Sequence, residues 1–253
     1  MPEFKIKAPV NTTLTEQEVN ARLSYFKSYD YRKAPNQNFG NMLVETLMSF
    51  GTGSTYLTCT EYHELKRGSL LYRTRAFEKA NISSIKLPRD FYSPPKELTK
   101  WGRVNRPYNP LLYASFTPNT AIKENYEIKK GFLLITYRLK SSIKLRVLGK
   151  LMNSKSIDGT TKQHVLFNHV NNFVENLMLH KINEEHYYIF TNDIIENVFI
   201  GDKSNGYYYP SAAHANQFNV AINPIHENTS ITIAEVWYCK RTIYGYKKIS
   251  RLL

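Results

Sequence analysis

A series of polar residues that could do chemistry follows the chain, each beside a short apolar run. Arginines occur in the segments 70–75 (LLYRTR) and 102–107 (GRVNRP), and a glutamate ends the segment 120–124 (TAIKE). Tyr113 lies within a further apolar run, and Ser211 follows another. Guanidinium groups can bind phosphate oxygens in a bidentate manner, and a fixed carboxylate can stabilise a positive charge that develops in a reaction. These side chains are therefore the candidates for a functional site.

Several familiar kinds of site are excluded by the sequence. It contains no glycine-rich phosphate loop, no GxGxxG motif and no GxSxG motif. The seven histidines include no HExxH pair, and His164 and His169 do not share a helical face. Cys59 and Cys239, far apart in the sequence, form neither a zinc-binding pattern nor a disulfide framework. We therefore expect no bound metal.

Short strands and helices must position the candidate residues. Apolar and β-branched runs predict strands at 70–74, 111–115, 132–139, 143–148, 207–209, 219–222 and 231–239. Thr117 followed by Pro118 predicts an N-cap and first turn of a helix that ends at Glu124. Apolar spacing predicts a longer helix over 166–177 and a short one over 191–199. Because strands and helices mix without regular alternation, we predict an α+β fold.

The first part of the chain has a helical pattern of its own. Thr15 and Glu18 form a capping-box signature. One apolar helical face follows over 19–26, and a second runs over 39–50. Two short amphipathic helices need a surface to pack against, either the main domain or a partner.

Length and charge limit the possible roles. The 253 residues suffice for one large domain with a small appendage, which we place at 56–253 and 1–55. The formal net charge is +13, but Lys and Arg are spread along the chain without a long basic run. This favours a basic surface for an acidic protein or a small anion over direct nucleic-acid binding. The sequence shows neither a secretory signal nor an apolar run that could span a membrane, so we expect a cytoplasmic protein.

Taken together, the polar segments resemble the RES domain family, named for its Arg, Glu and Ser. The family pattern begins with an Arg after an apolar–aromatic pair, followed by Gly-Arg-hydrophobic-Asn, Leu-Tyr-x-Ser and Thr-Ala-x-x-Glu. It closes with Gly-x-x-Tyr-Pro-Ser and an Asn-Val-Ala strand. This chain carries each block in that order between about residues 69 and 224, the last two at 206–211 and 219–221. One block alone is a weak signal, whereas the ordered set is specific.

The resemblance implies an ADP-ribosyltransferase-like fold, a split β-sheet that holds NAD⁺ in the cleft between its halves. It also implies cleavage of the nicotinamide–ribose bond of NAD⁺. Glu124 is the expected carboxylate beside the ribose carbon, where positive charge develops as in glycoside hydrolysis. Arg73 and Arg103 are expected to bind the diphosphate, with Arg75 and Arg106 as substitutes.

Three further residues belong to the site that the resemblance implies. Tyr113 is expected to stack on the nicotinamide and to supply a hydroxyl, and Ser211 to donate to ribose or phosphate. Asn105, in the same loop as the second diphosphate-binding arginine, is expected to contact NAD⁺. Tyr113 and Ser211 join Glu124 and Arg73 as the expected catalytic residues.

The chain departs from the family pattern at Tyr108, where members usually have glycine, and this change would reshape the loop over the substrate. Residues 1–60 and 224–253 have no counterpart in the pattern, so their roles stay open. His214, close to Ser211, is interpreted as a structural or rim residue.

Three functions are compatible with these features. The leading hypothesis is a toxin that degrades NAD⁺, in which water or inorganic phosphate takes the ADP-ribose moiety. A cognate antitoxin, often an Xre-type helix-turn-helix protein in this family, would restrain it. The second hypothesis is a mono-ADP-ribosyltransferase that modifies a protein or nucleic acid, because the sequence does not identify the acceptor. The third is a non-enzymatic basic module whose binding to nucleic acid would depend strongly on salt.

Overall fold

The structure of the chain is a computed structural model. It describes residues 6–7, 15–28, 62–77, 89–125, 128, 131–148, 157–158, 160–179, 186–198, 205–243 and 245–253. The chain divides into two compact units. The first contains Met1–Glu61, Trp101–Arg106 and Val147–Lys203, and the second contains Tyr62–Lys100, Pro107–Arg146 and Ser204–Leu253. The predicted boundary near residue 55, and the predicted helical face over 39–50, lie outside the described residues.

Eleven strands occur among the described residues, and nine of them form one sheet. In chain order they are β1 (Ile6–Lys7), β2 (Tyr62–Leu65), β3 (Leu70–Ala76), β4 (Leu112–Ser115), β5 (Gly131–Leu139), β6 (Ile143–Val147), β7 (Ile157–Asp158), β8 (Gly206–Pro210), β9 (Phe218–Ile222), β10 (Ile231–Thr242) and β11 (Gly245–Arg251). The spatial order of the sheet is β11-β10-β5-β3-β4-β9-β8-β6-β2. The neighbouring pairs from β11 across to β8 are antiparallel, as is the pair of β6 with β2.

Strand β3 is paired over very different lengths with its two neighbours in the sheet. On one side, β3 pairs with β5 through seven consecutive residue pairs, from Leu70 opposite Arg138 to Ala76 opposite Phe132. On the other side, β3 pairs with β4 through Tyr72 opposite Ser115. A group of four strands and a group of five strands therefore join at one residue pair.

The helices of the described residues are α1 (Glu16–Ser28), α2 (Pro118–Glu124), α3 (Thr161–Leu179), α4 (His186–Val198) and α5 (Glu227–Ser230). Thr117 caps α2, since its hydroxyl accepts from Thr120 N at 3.1 Å, and Pro118 occupies the first turn. This is the helix start that the sequence predicts. None of these described helices is long and apolar enough to cross a membrane.

Helix α2 defines one face of the sheet. Thr74 Oγ1, on β3, donates to Ala121 O of α2 at 2.8 Å. Because side chains alternate along a strand, Tyr72 shares the face of Thr74 on β3. Tyr72 pairs with Ser115 on β4, which in turn pairs with Asn219 on β9, and these residues form what we call the α2 face. The opposite face, here the core face, carries the main apolar cluster, which includes Leu71, Leu112, Ala114, Ile135, Leu145, Val220 and Ile222.

In the first unit, α1 packs on α3. The Thr15–Glu18 capping box forms as predicted: Thr15 N donates to Glu18 Oε2 at 2.7 Å, and Glu18 N donates to Thr15 Oγ1 at 3.2 Å. The predicted apolar face is buried, and its Phe26 ring lies 6.4 Å from Phe173 of α3. His169 Nε2 also lies 2.9 Å from Glu16 Oε1. The surface that this N-terminal helix needs is therefore α3.

The predicted strands and helices are confirmed within the described residues, with differences in some helix starts and some additional strands. Helix α3 begins at Thr161, five residues before the predicted start, and the two-residue strands β1 and β7 are not predicted. Helix α4 begins at His186, one turn before the predicted start at Thr191. The edge strands Tyr62–Leu65 and Gly245–Arg251 are not predicted from the sequence. Both strands contain few buried apolar residues and are held mainly by backbone pairing with a neighbouring strand. Their sequences therefore show little hydrophobic pattern. The mixture of strands and helices confirms the α+β class.

Candidate functional site

A carboxylate held by two hydrogen-bond donors lies on the α2 face. Glu124, the last residue of α2, accepts from Ser211 Oγ at 2.5 Å and from Asn219 Nδ2 at 2.7 Å. Both bonds reach the same oxygen, Oε1. Ser211 and Asn219 are 2% and 3% exposed, whereas Glu124 is half-buried. Two charge-assisted bonds from buried donors fix the direction of the carboxylate.

The two donors are themselves oriented by neighbours. Asn219 Oδ1 accepts from Ser115 Oγ at 2.6 Å, which directs the amide nitrogen of Asn219 toward Glu124. Ser211 Oγ accepts from His214 N at 2.9 Å, so its own hydroxyl hydrogen is free to point at the carboxylate. The site is therefore a connected network and not a single contact.

Helix α2 is anchored at both ends beside this network. Near its start, Thr120 Oγ1 lies 2.9 Å from His214 Nδ1. Near its end, Ala121 O accepts from Thr74 Oγ1, and Asn125 Nδ2 donates to Thr74 O at 3.2 Å. These contacts position Glu124 relative to strands β3, β8 and β9.

Tyr113 lies on the same face of the sheet. It pairs with Ala221 on β9, between two positions of β4, Leu112 and Ala114, that belong to the core face. Its ring lies edge-on to Tyr209, with centroids 6.4 Å apart. The structure therefore brings Tyr113, Ser211 and Glu124, three of the four expected catalytic residues, to one face.

Arg73 and Arg75 contact a different segment of the chain. Arg73 Nη1 donates to Tyr92 O at 2.7 Å, and Arg75 Nη1 donates to Asp90 O at 2.8 Å. The two arginines therefore bind backbone carbonyls of the loop that holds the short 3₁₀ turn Arg89–Phe91.

The structure places Arg73 on the face of β3 opposite to the one that contacts α2. Arg73 flanks Thr74 on β3, and since Thr74 contacts α2, Arg73 projects to the core face. There it faces the buried Glu227. Burial raises the pKa of the Glu227 carboxyl, while a hydrogen bond from Ser93 N at 3.0 Å and the charge of Arg73 oppose that rise. The sequence could not show this, because the register of β3 decides which face each arginine takes.

The loop that carries Arg103 and Asn105 belongs to the first unit. Gly102 N donates to Asn105 O at 2.9 Å, and the two residues form an antiparallel bridge. Arg103 and Val104 therefore occupy a tight two-residue turn. Asn105 is buried, and its Nδ2 donates to Arg106 O at 2.9 Å.

Helix α4 holds this turn through consecutive buried polar residues. Thr191 Oγ1 donates to Arg103 O at 2.8 Å, and Asn192 Nδ2 donates to Gly102 O at 2.8 Å. Thr191 and Asn192 are 0% and 2% exposed. The carbonyl oxygens of the turn thus face α4, and both are satisfied.

Ion pairs continue the contact with α4 at Arg106. Its Nη2 lies 3.0 Å from Asp193 Oδ1, and its Nε lies 2.6 Å from Glu196 Oε1. Its guanidinium also lies 5.8 Å from the centre of the Trp101 ring. The Arg106 guanidinium is therefore ion-paired to two carboxylates of α4.

Replacing Asn192 with leucine is expected to lower the free energy of unfolding by about 1–3 kcal/mol, because Gly102 O would lose a buried donor. Urea or thermal unfolding measures the change. The exposed Asn172 on α3 offers a matched control, and Asn172→Leu is expected to change stability by less than about 0.5 kcal/mol. Equal effects of the two substitutions would contradict the role of Asn192 in holding the turn.

The residue that replaces the family's glycine has the backbone conformation that glycine favours. Tyr108 has φ 63°, in the left-handed region, and its side chain is 64% exposed. Its N donates to Thr99 O at 3.4 Å, across the base of the segment 99–108. Tyr108 thus holds a backbone conformation that glycine adopts at lower cost.

Tyr108→Gly is expected to leave the protein as stable as before or more stable by up to about 1.5 kcal/mol. Relief of the left-handed conformation is worth about 1–2 kcal/mol, and the added freedom of glycine in the unfolded chain costs about 0.5–1 kcal/mol. Thermal unfolding checks this, with Tyr108→Ala as the control that removes the ring but keeps the strain. A clear loss of stability in the glycine variant alone would show that the conformation is not strained.

Two groups of residues in the candidate site are missing from the candidates that the sequence analysis selects. Asn219 was visible only as part of the Asn-Val-Ala block, yet a polar side chain inside an apolar strand is the signal that could have identified it. The consecutive Thr191 and Asn192 of α4 carry no motif, so only the fold reveals that they support the Arg103 turn.

The arrangement around Glu124 suits a reaction that develops positive charge. A carboxylate fixed by two donors cannot rotate away, and it needs no reorganisation when a cation forms beside it. Among the residues that the structure describes, no three His, Cys, Asp or Glu side chains come together as a metal-binding group.

Comparison with known proteins identifies the family of the chain. No curated protein matches the chain. A chain of the crystal structure of the M. tuberculosis MbcT–MbcA toxin–antitoxin complex aligns with a TM-score of 0.39 at 9% identity, over 68% of this chain and 85% of that one. The family model of the RES domain matches residues 71–240, well over half of the sequence. The chain therefore belongs to the RES domain family.

Proposed function

We propose that this RES domain protein is an NAD⁺-degrading toxin that cleaves the bond between nicotinamide and ribose. The observation that carries the proposal is the Glu124 carboxylate, fixed by Ser211 and Asn219 on one face of the sheet. Glu124 and Ser211 are the glutamate and serine of the family pattern, and in this chain they bind each other directly.

The chemistry follows from the charge on the substrate. The bond from the nicotinamide nitrogen to the ribose carbon breaks with its electron pair going to nicotinamide, which leaves as a neutral molecule. The ribose carbon then carries oxocarbenium character, as in glycoside hydrolysis. The negative charge of Glu124 stabilises that carbon or orients the ribose hydroxyls. An oxygen of water or inorganic phosphate forms the new bond to carbon, and the proton of water is released to solvent.

The sheet supports an ADP-ribosyltransferase-like fold for this reaction. Its two groups of strands join only at Tyr72 and Ser115, and Ser115 is hydrogen-bonded to Asn219 of the Glu124 network. A sheet that splits at this point beside the carboxylate fits a cleft for NAD⁺ between its halves. Tyr113, on the same face, is assigned to the nicotinamide.

Assignment of the diphosphate ligands rests on the family pattern. Arg103 and Asn105 lie in the turn that α4 holds, and the pattern assigns them to NAD⁺. Arg73 and Arg75, which bind the carbonyls of Tyr92 and Asp90, are assigned to positioning of that loop.

The partner proposed for the toxin is a cognate antitoxin of Xre type, which the family resemblance implies. The formal net charge of +13 suits a protein that binds an acidic partner or a dinucleotide. Expression without the antitoxin is expected to lower cellular NAD⁺ and stop growth, and co-expression to restore both.

The decisive experiment incubates the purified protein with NAD⁺ and measures nicotinamide release, with and without inorganic phosphate. ADP-ribose as the product in both conditions identifies water as the acceptor, and a phosphorylated ADP-ribose formed only with phosphate identifies phosphate. A labelled macromolecule in a lysate supplied with labelled NAD⁺ would instead identify a mono-ADP-ribosyltransferase. Undiminished NAD⁺ with well-folded protein would refute the proposal.

A further inference from the structure

One buried arginine lies outside the network described above. Arg146, on β6, is 3% exposed. Within the described part of the chain, its Nε and Nη2 atoms have no hydrogen-bond partner, although both are shielded from solvent. Arginine presents five N–H donors and stays protonated in proteins. Two buried donors without acceptors among the described residues call for an acceptor that this part of the chain does not supply.

Burial disfavours the charge of this group. Desolvation lowers the pKa of the Arg146 guanidinium from its ordinary value, and the neighbouring Tyr207 opposes the shift. A buried cation without a partner is costly, so a folded chain retains one where a ligand supplies the opposite charge. Planar guanidinium groups match phosphate oxygens in bidentate geometry.

Arg146 lies on the same face of the sheet as Glu124. Its strand neighbour Leu145 belongs to the core face, so Arg146 projects to the α2 face. Its neighbour Tyr207 pairs with Ala221 on β9, two residues from Asn219. Since β8 separates β6 from β9, the strand that carries the arginine lies about 10 Å from the strand that carries the amide.

We propose that Arg146 binds a phosphate group on the α2 face. The inference rests on the proposed function for the identity of the ligand, and two sources supply the same chemistry. One is the diphosphate of the bound dinucleotide, and the other is free inorganic phosphate that serves as the acceptor. The spacing from the Glu124 network is compatible with either source, because the diphosphate is attached to the reacting ribose and an acceptor phosphate must approach its reacting carbon.

Calorimetric titration of the full chain with ADP-ribose and, separately, with inorganic phosphate tests the inference without relying on turnover. Arg146→Met keeps the length of the side chain and removes the donors. If the dinucleotide supplies the phosphate, the variant is expected to bind ADP-ribose at least about tenfold more weakly than the wild type. If free phosphate is the ligand, the same loss is expected for inorganic phosphate while ADP-ribose binding is unchanged.

Two further variants keep the result interpretable. Arg138→Met, which removes an exposed arginine of β5, is the matched control and is expected to bind both ligands as the wild type does. Arg146→Lys keeps the charge without the planar fork, and it replaces the methionine variant if that variant does not fold. It is expected to show the same selective loss to a smaller degree.

Unchanged affinity for both ligands in a folded Arg146 variant would overturn the inference. Its failure is separable from that of the proposed function. Nicotinamide release by the wild type together with normal binding by the variant would reject the phosphate site alone. An inactive wild type whose ADP-ribose or phosphate binding requires Arg146 would reject NAD⁺ cleavage and support the site.

Discussion

Glu124→Gln is expected to lower kcat for nicotinamide release by about 10²–10³-fold, the usual effect of removing one electrostatic contact to a transition state. Glutamine has nearly the shape of glutamate, and its side-chain oxygen can still accept from Ser211 and Asn219. The substitution therefore removes the charge and keeps the network. Because NAD⁺ itself is bound by other residues, KM should change much less than kcat. Steady-state kinetics with detection of nicotinamide measures both.

The control for this variant is Glu64→Gln, which neutralises an exposed carboxylate on β2. It is expected to leave kcat and KM unchanged. Thermal unfolding of both variants should match the wild type closely. Full activity of Glu124→Gln would show that the carboxylate is not the charge-stabilising group, and an equal loss in the Glu64 variant would point to a general electrostatic effect.

Gly206→Ala is expected to lower the free energy of unfolding by about 2–5 kcal/mol, the sum of overpacking and a disfavoured backbone conformation. Gly206 opens β8 with φ +144°, and a Cβ at this position would lie 2.0 Å from Ala221 O and 2.9 Å from Ile222 Cα. Both obstacles are backbone atoms of β9, so the two strands would have to separate. Ser211 follows β8 and Asn219 lies on β9, so activity should fall together with stability.

Gly68→Ala is the control, because Gly68 also has a positive φ, +86°, but nothing lies within 4 Å of an added Cβ. It is expected to cost about 1–2 kcal/mol, the conformational part alone. Urea unfolding compares the two variants. Similar losses would show that β8 and β9 accommodate the methyl group, and the glycine of the Gly-x-x-Tyr-Pro-Ser block would need another explanation.

Sequence signals predict the elements of this fold well where they are local. Thr117 and Pro118 mark the start of α2 because capping and proline preferences act within one turn. The approach of Glu124 to Ser211 is anticipated only through the family pattern, since 87 positions separate the two residues.

Features that depend on strand register or on distant packing are not predictable in this way. Arg73 and Thr74 are neighbours in sequence, and the residues around them do not indicate which of the two side chains faces α2. Thr191 and Asn192 read as ordinary helix residues until the fold shows that they bind the carbonyls of the Arg103 turn. Arg146 lies within an apolar strand, and its position in the sequence assigns it no role. It stands out only because its Nε and Nη2 atoms are buried without a hydrogen-bond partner among the described residues.

The single residue pair between β3 and β4 has a consequence for dynamics. A long strand pairing resists opening because several hydrogen bonds must break together. The pairing of β3 with β4 consists of Tyr72 opposite Ser115, so few bonds oppose its opening. Amide hydrogen exchange should therefore be faster along β4 than along β5, which is paired on both sides over most of its length. A ligand that contacts both β3 and β4 would hold the two strands together and slow amide hydrogen exchange on both of them.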